Sequence, residues 1–213
     1  MLEIMTFTLG PAATNAYLVA DTENNEAVVI DPAWEGETIL AAAEERGWRI
    51  GQMWYTHAHF DHFGGAAGVV KGCDPEPVVA LHPEDLPLWQ ARGGAPLFGI
   101  RLDDPGPEPN IELAHGQELQ LGRYRFEVRY APGHTRGHVM FYCAEQAVLF
   151  SGDVIFQGAI GRSDLPGGNY QVLMDSIRQQ VLTLPDETRV LSGHGFETTV
   201  GVERRQNPFV LHG

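Results

Sequence analysis

The segment THAHFDH, residues 56–62, contains three of the nine histidines of the chain and an aspartate within seven positions. It ends an apolar stretch that we interpret as a β-strand. Side chains two residues apart on a strand share a face, so we expect His57 and His59 to project together. Two adjacent imidazoles form half of a metal site. Asp61 and His62 follow where the chain turns into a helix, and we expect them to face a second point nearby.

Three other positions repeat this pattern of an apolar strand, a small residue and one side chain that can bind a metal. They are His134, Asp153 and His194. Four strand ends that carry histidine or aspartate are explained most simply by a dinuclear metal centre. Imidazole and carboxylate ligands suit zinc, and they also suit iron or manganese, so the ligand types do not fix the metal.

The elements that must position these residues can be predicted from apolar patterns. Strands are predicted in two groups, one before and one after the middle of the chain, with helices between them. Helices are predicted over residues 35–47, 61–72 and 170–185, the first ending at Gly47. Residues 93–110 are rich in glycine and proline and predict a functional or flexible loop. This order favours an α+β fold with two sheets and outer helices over one doubly wound parallel sheet.

The composition of the chain limits the classes of protein to which it can belong. With 213 residues, 43% of them hydrophobic, the chain fits a single domain over residues 1–213. The net charge of −14 argues against nucleic acid or an anionic membrane as the main partner. No apolar run approaches the roughly 18 residues of a membrane span. Two cysteines are too few for a disulfide framework, and a cytoplasmic location fits best, whereas the oligomeric state is left open.

The spacing HxHxDH, followed later by a histidine, an aspartate and a histidine, resembles the metallo-β-lactamase superfamily from about residue 2 to the end of the chain. The resemblance implies an αββα sandwich, in which two mixed sheets carry helices on their outer faces and metals lie at one edge. It also implies two divalent metal ions. The first would be bound by His57, His59 and His134, and the second by Asp61, His62 and His194.

Within that resemblance, Asp153 would bridge the two metals together with a hydroxide ion. Asp61 and Asp153 would then be the catalytic carboxylates that act with this hydroxide. Coordination to metal lowers the pKa of water from 15.7 to about 7, so hydroxide becomes available at neutral pH. The resemblance therefore implies a hydrolase.

Three stretches, residues 132–139, 152–169 and 193–209, are similar to short bacterial glyoxalase II-like hydrolases. These are single-domain relatives of hydroxyacylglutathione hydrolase. The similarity implies a small-molecule thioester such as S-lactoylglutathione as the substrate, attacked at its carbonyl carbon by the hydroxide. A thiolate can leave without a strong general acid, because a free thiol has a pKa of about 8.5.

Four residues are candidates for contacts with the substrate. Arg162 falls where glyoxalase II enzymes place a basic residue towards the glycine carboxylate of glutathione, and Phe196 falls where they place a tyrosine. Arg136 is expected to face either the substrate mouth or solvent. Phe98 is expected to belong to an apolar lid or to a surface patch. Asp164 is expected to pair with an arginine such as Arg162 and to shape its loop.

Three other interpretations use the same residues. A persulfide dioxygenase would need a single iron and an overlapping set of ligands. A lactonase or a β-lactamase-like hydrolase would use the same hydroxide on a different carbonyl. Outside enzymes, the chain could be a degenerate metal-binding scaffold, but all seven ligand positions are filled, which argues against decay.

Overall fold

The computed structural model describes residues 1–212, and its first six strands form one mixed sheet. Their order across the sheet follows the chain: β1 (Leu2–Leu9), β2 (Thr14–Asp21), β3 (Glu26–Ile30), β4 (Arg49–Trp54), β5 (Val78–Leu81) and β6 (Ile111–Glu112). Strands β1 to β3 are antiparallel, and β3 to β6 are parallel. The parallel strands direct their carboxyl ends to a common edge.

The second half of the chain forms another six-stranded sheet and a small hairpin. The strands are β7 (Glu118–Leu121), β8 (Tyr124–Tyr130), β9 (Val139–Cys143), β10 (Val148–Gly152), β11 (Ile155–Phe156), β12 (Ala159–Ile160), β13 (Arg189–Ser192) and β14 (Thr198–Thr199). The sheet runs in the order β14-β13-β10-β9-β8-β7, while β11 pairs only with β12. Within it β10 and β13 are parallel and the other neighbours are antiparallel, so this sheet is also mixed.

Helices cover the outer face of each sheet. The first sheet carries α1 (Gly36–Arg46), α2 (Phe60–Phe63), α3 (Ala66–Val70) and α4 (Leu86–Gln90), and the second carries α5 (Tyr170–Ser176), α6 (Val200–Gln206) and α7 (Pro208–His212). Short 3₁₀ turns occupy Pro83–Asp85, Arg92–Phe98 and Ala144–Gln146. No helix within residues 1–212 is both long and apolar enough to cross a membrane.

The core has three layers because side chains on a strand alternate between the two faces of its sheet. On β2, Leu18 packs among the helices of the first sheet, whereas Tyr17 and Val19 pack between the two sheets. Trp54 of β4 joins the sheets, with its ring centroid 5.2 Å from that of Phe126 and 5.3 Å from that of Phe141. Such aromatic pairs add roughly 0.5–1.5 kcal/mol beyond the burial of their area. The predicted αββα sandwich with two mixed sheets is confirmed.

The predicted helices differ from the observed ones at their ends. The helix predicted over 35–47 is confirmed as α1, with Gly47 in the left-handed conformation after its last turn. The single helix predicted over 61–72 is instead two helices, α2 and α3, separated by two glycines. The helix predicted over 170–185 is shorter, because α5 gives way to a π-helical turn over Ile177–Val181.

Candidate metal centre

His57 and His59 lie on an extended connection and not on the strand itself. Strand β4 ends at Trp54, before either histidine, yet the two imidazoles are neighbours with ring centroids 4.9 Å apart. The first residues of the connection still bond to strands, since Tyr55 N donates to the carbonyl oxygen of Ala80 at 3.0 Å and Val139 N donates to that of Thr56 at 2.8 Å. Two carboxylates accept hydrogen bonds from other N–H groups of its backbone. Thr56 N donates to Asp31 Oδ1 at 2.7 Å, and Ala58 N donates to Oδ2 of Asp85 at 3.0 Å.

The first group of close ligand atoms consists of His57, His59 and His134, all of them buried. Their nitrogens lie within 4.8 Å of one another. His134 enters the group from the turn after β8, and its Nδ1–H donates to the carbonyl oxygen of Arg162 at 2.6 Å. His134 Nε2 is 2.9 Å from His59 Nδ1. Three imidazoles thus converge on one point from two segments that are far apart in the sequence.

The second group consists of Asp61, His62 and His194, whose ligand atoms also lie within 4.8 Å of one another. Oδ2 of Asp61 is 3.7 Å from His62 Nε2 and 3.5 Å from His194 Nε2. Asp61 and His62 belong to α2, while His194 follows β13 of the other sheet. The two sheets therefore meet at this group.

Asp153, at the end of β10, lies between the two groups. Its Oδ2 is 3.5 Å from Nε2 of His134 and 3.5 Å from Nε2 of His194, while its Oδ1 is 3.4 Å from Nε2 of His62. Gly193 lets this carboxylate come close, because a Cβ at that position would lie 2.2 Å from Asp153 Oδ1. One carboxylate is thus within reach of imidazoles from both groups.

Buried hydrogen bonds at Nδ1 fix the orientation of two imidazoles. His62 Nδ1–H donates to Asp31 Oδ2 at 2.9 Å. The hydroxyl of Thr56 donates to the same oxygen at 2.6 Å, so at 3.0 Å it accepts from Nδ1–H of His57. Both rings therefore turn Nε2 inward, and neither Nε2 has a hydrogen-bond partner among the described residues. Asp31 also lies close to His57 and His62, but its oxygens are already engaged in these bonds.

The carboxylate Asp31 was not predicted as a site residue, although its signal was present. It follows β3 directly, just as Asp153 follows β10, so it shares the pattern of an apolar strand that ends in an acid. His138 supports the site from the other side. Its Nε2 accepts a hydrogen bond of 3.0 Å from the backbone N–H of Asp153, and its ring stacks on that of His57 at 4.7 Å.

Strand β2 of the first sheet holds the loop that carries His194. Asn15 N donates to the carbonyl oxygen of Gly193 at 2.7 Å, and the Tyr17 hydroxyl donates to that of Ser192 at 2.6 Å. Thr14 forms an isolated antiparallel bridge with His194 itself. These long-range contacts explain how a residue near the end of the chain joins a site built largely from the first half.

The histidines of the site differ in the direction in which their surroundings shift the pKa. Burial and the neighbouring imidazoles hold the pKa of His57 and of His59 well below the usual value, so both rings are neutral at pH 7. Burial lowers the pKa of His62 as well, but the carboxylates of Asp153 and Asp61 outweigh burial and raise it well above the usual value. Burial acts to raise the pKa of Asp153, and the surrounding imidazoles lower it well below the usual value.

A cleft of about 270 Å³ opens over the two groups. The histidine and aspartate side chains of the two groups form its floor, and apolar side chains form much of its wall. The lining residues are Ala12, His59, Phe60, Asp61, Phe98, His134, Asp153, Arg162, Leu165 and His194. A volume of this size accommodates a small ligand that reaches the floor with a polar group.

The structure brings two of the four predicted substrate contacts to this cleft. Phe98 lines it, half exposed, with its ring centroid 5.5 Å from that of Phe60. Arg162 lines it too, and its guanidinium forms two hydrogen bonds, of 2.9 and 2.8 Å, with the carboxylate of Asp164. Arg136 instead lines a neighbouring groove, and Phe196 is 81% exposed outside the cleft wall.

Comparison of the chain with known proteins identifies its family. The model of the metallo-β-lactamase superfamily matches residues 9–194. A relative from Haemophilus influenzae, hydroxyacylglutathione hydrolase GloC, is 39% identical over 197 residues, which cover 92% of this chain and 92% of the relative.

Two solved structures are similar over their full lengths. One is the B3 metallo-β-lactamase BLEG-1, with a TM-score of 0.88, 37% identity and coverage of 99% of this chain and 100% of that one. The other is TTHA1623 in a di-iron-bound form, with a TM-score of 0.86, 43% identity and coverage of 96% and 99%. The shared sandwich, the match over most of the chain and these full-length relatives show that the chain belongs to the metallo-β-lactamase superfamily.

Proposed function

We propose that this chain is a metal-dependent hydrolase that cleaves a small thioester, for which S-lactoylglutathione is the model substrate. Two divalent metal ions would act in the cleft. One would be held by His57, His59 and His134, and the other by Asp61, His62 and His194. Asp153 would bind both, and zinc is the metal that we propose, with iron and manganese as the alternatives to be separated by metal analysis.

The position of Asp153 is the observation that carries this proposal. Its two oxygens face imidazoles of both groups, which is what a ligand shared by two cations requires. The buried atoms His57 Nε2, His62 Nε2 and Asp153 Oδ1 have no hydrogen-bond partner among residues 1–212. A buried polar atom without a partner is costly, and the two cations would together satisfy all three. The donor set therefore fits two divalent metals.

The residues of the chain prepare the site for such ions. His57 and His59 are neutral at pH 7, because burial lowers the pKa of each, so no proton has to leave before they coordinate. Thr56 holds the ring of His57, and Asp31 holds that of His62, with Nε2 facing inward. Two divalent cations supply a water molecule of lowered pKa and a Lewis acid for a carbonyl oxygen, which is the chemistry that hydrolysis needs.

The cleft wall fits a thioester with a small acyl group. Phe60, Phe98 and Leu165 offer apolar surface beside the polar floor, and they reduce the access of bulk water to it. Arg162 adds one positive group at the wall, where a carboxylate of the thiol portion could bind. The name of the relative GloC, a hydroxyacylglutathione hydrolase at 39% identity, supports the same class of substrate.

The proposal is tested by metal analysis together with an assay for free thiol. The protein is stripped of metal, reloaded with zinc or with iron, and incubated with S-lactoylglutathione. We expect about two metals per chain and release of thiol that requires them. The matched control is Asp153→Ala, for which we expect the loss of both metals and of turnover together, because this carboxylate faces both groups.

Other results would contradict the proposal in distinct ways. One iron per chain, with oxygen uptake on glutathione persulfide and no thiol release from the thioester, would identify a persulfide dioxygenase. A second candidate, hydrolysis of β-lactams, is favoured by the 37% identity to the B3 metallo-β-lactamase BLEG-1 over nearly the whole chain. A chromogenic β-lactam tested on the same metal-loaded preparations separates these two hydrolases.

A further inference from the structure

Asp85 is a buried carboxylate that joins the two segments carrying the first group of histidines. Only 1% of it is exposed. Its Oδ2 accepts hydrogen bonds from Ala58 N at 3.0 Å and from the Thr135 hydroxyl at 2.7 Å. Its Oδ1 accepts a hydrogen bond from Gly137 N at 2.7 Å. Ala58 separates His57 from His59 in the chain, and Thr135 directly follows the third histidine of the group.

A buried carboxylate with three donors is a strong positional constraint. Transfer of a charge out of water is costly, and it is tolerated where several hydrogen bonds stabilise the ionised form. Each donor here belongs to a turn or an extended connection, not to a strand or helix. A backbone hydrogen bond of 2.8 Å from Val139 N to the carbonyl oxygen of Thr56 also joins these segments. The carboxylate adds bonds at Ala58 and Thr135, each of which is next to a histidine of the first group.

The backbone around Asp85 packs against both segments as well. At Gly137 an added Cβ would lie 2.6 Å from Asp85 N, so the two backbone segments are in contact there without a side chain between them. At Gly93 an added Cβ would lie 2.3 Å from Phe60 N, next to His59 in the chain. Tyr130 adds a third link, since its hydroxyl lies 2.8 Å from the carbonyl oxygen of Arg136 and 3.2 Å from a carboxylate oxygen of Glu84.

The second group is supported by different residues. Asp61 accepts a hydrogen bond from Thr14, His62 donates to Asp31, and His194 pairs with strand β2. None of the three hydrogen bonds that Asp85 accepts in the described structure comes from a segment of this second group. The support of the two groups is therefore separable by mutation.

We propose that Asp85 is a positioning residue that holds His57 and His59 at the distance from His134 at which the three bind one metal ion. This inference rests on the metal ligands proposed above. Asp85 itself touches neither metal nor substrate. Its effect is on the affinity of one of the two metal sites, and the other site is left as it is.

The test measures zinc affinity in variants that retain one site each. His194→Ala removes a ligand of the second group and leaves the first, whereas His134→Ala removes a ligand of the first and leaves the second. Asp85→Asn is added to each, and zinc is titrated against a chromophoric chelator. The asparagine side chain has one acceptor oxygen where aspartate has two, so at least one of the three donors loses its acceptor. We expect roughly 10- to 100-fold weaker zinc binding in the His194→Ala background and a change below about twofold in the other.

Two further variants keep the test decisive if Asp85→Asn folds poorly. Thr135→Val removes one of the three bonds, whereas Thr135→Ser keeps the hydroxyl that donates to Asp85. We expect about tenfold weaker zinc binding for the valine variant in the His194→Ala background and recovery with serine. Glu84→Gln is the matched charge control, because this neighbouring carboxylate is exposed and a glutamine oxygen can still accept the bond from the Tyr130 hydroxyl. Circular dichroism of the metal-free proteins checks that each variant is folded.

The outcomes separate this inference from the proposed function. If neither the single variant His194→Ala nor the unmutated chain binds zinc, the proposed metal centre is wrong, and the proposed role of Asp85 is wrong as well. If the unmutated chain binds two zinc ions and Asp85→Asn changes neither site, only the role of Asp85 is wrong. Equal losses at both sites would show a general structural effect and would also overturn the inference.

Discussion

The hydroxyl of Thr14 donates a hydrogen bond of 2.9 Å to Oδ2 of Asp61, although 47 residues separate the two in the chain. Thr14 is the first residue of β2 and also pairs with His194, so one buried threonine contacts two members of the second group. The same oxygen of Asp61 is the one that faces His62 and His194. The start of β2 thus orients the carboxylate of this group.

Replacement of Thr14 by valine is expected to weaken zinc binding at the second group about tenfold, because the carboxylate of Asp61 loses the donor that orients it. Valine keeps the shape of threonine, so the packing of β2 is retained. Thr14→Ser keeps the hydroxyl and should bind zinc as the unmutated chain does. The measurement is a zinc titration against a chelator in the His134→Ala background, and equal affinities for valine and serine would contradict the prediction.

The sequence indicated the seven proposed ligands because their signal is local. Each follows an apolar strand, or lies within a few residues of one, and parallel strands bring their carboxyl ends to one edge. The supporting residues Thr14, Asp85 and Thr56 also lie at or near strand ends, but their residue types do not form a metal-ligand pattern. Most of their partners are distant in the chain, up to 52 residues for Asp85, and a threonine or aspartate in a turn has many possible roles. Long-range pairing of this kind is visible only in the folded chain.

The sequence pattern also did not predict the local conformation of residues 56–62. Alternating side chains predicted that His57 and His59 stand on a strand, but β4 ends at Trp54. Two side-chain acceptors, Asp31 and Asp85, bind the backbone of the connection, and a pattern of residue types does not show which acceptors a backbone will find. The fold class was predictable because the strands show one of two simple burial patterns. Burial alternates along β7 and most of β8, whereas β2, β9 and β10 are apolar and buried throughout.

Proton release on zinc binding is expected to differ between the two groups. Burial lowers the pKa of His57 and His59 well below 6.5, so their rings are already neutral at pH 7. The carboxylates around His62 and His194 raise the pKa of both rings above 6.5, despite their burial, so these rings hold protons that zinc must displace. Affinity at the second group should therefore rise with pH above 6.5, while affinity at the first group changes little there.

Calorimetric titration in two buffers of different ionisation enthalpy measures the protons released. The single variants His194→Ala and His134→Ala isolate the first and the second group, respectively. Release at pH 7 is expected only in the His134→Ala protein, where His62 and His194 remain. Equal proton release by both variants, or release only from the first group, would contradict the assignment of charge.

The ion pair of Arg162 with Asp164 is expected to limit the binding of anionic substrates. The arginine lines the cleft, but both of its hydrogen bonds of 2.9 and 2.8 Å go to Asp164. A substrate carboxylate must compete with that partner. Both side chains are exposed and such pairs contribute about 0–1 kcal/mol, so Asp164→Asn should lower KM for S-lactoylglutathione by up to about fivefold. Arg162→Ala should raise it.

An uncharged thioester provides the control for this prediction. Its KM should be the same for the unmutated chain and for Asp164→Asn, because it offers no carboxylate to Arg162. Steady-state release of free thiol gives kcat and KM for both substrates. If Asp164→Asn changes KM equally for the charged and the uncharged thioester, the ion pair shapes the loop and does not select charge.

The exposed aromatic residues near the cleft are expected to differ in their effect on substrate binding. Phe98 lines the cleft and packs on Phe60, although 49% of it is exposed, whereas Phe196 is 81% exposed and outside the wall. Loss of a half-buried phenyl ring removes roughly 1 kcal/mol of apolar contact, so Phe98→Ala should raise KM about fivefold with kcat unchanged. Phe196→Ala should leave both constants within about twofold, since binding that is equal in the ground and transition states acts on KM alone. A larger effect from Phe196 than from Phe98 would show that the substrate extends past the rim of the cleft, on the side of His194.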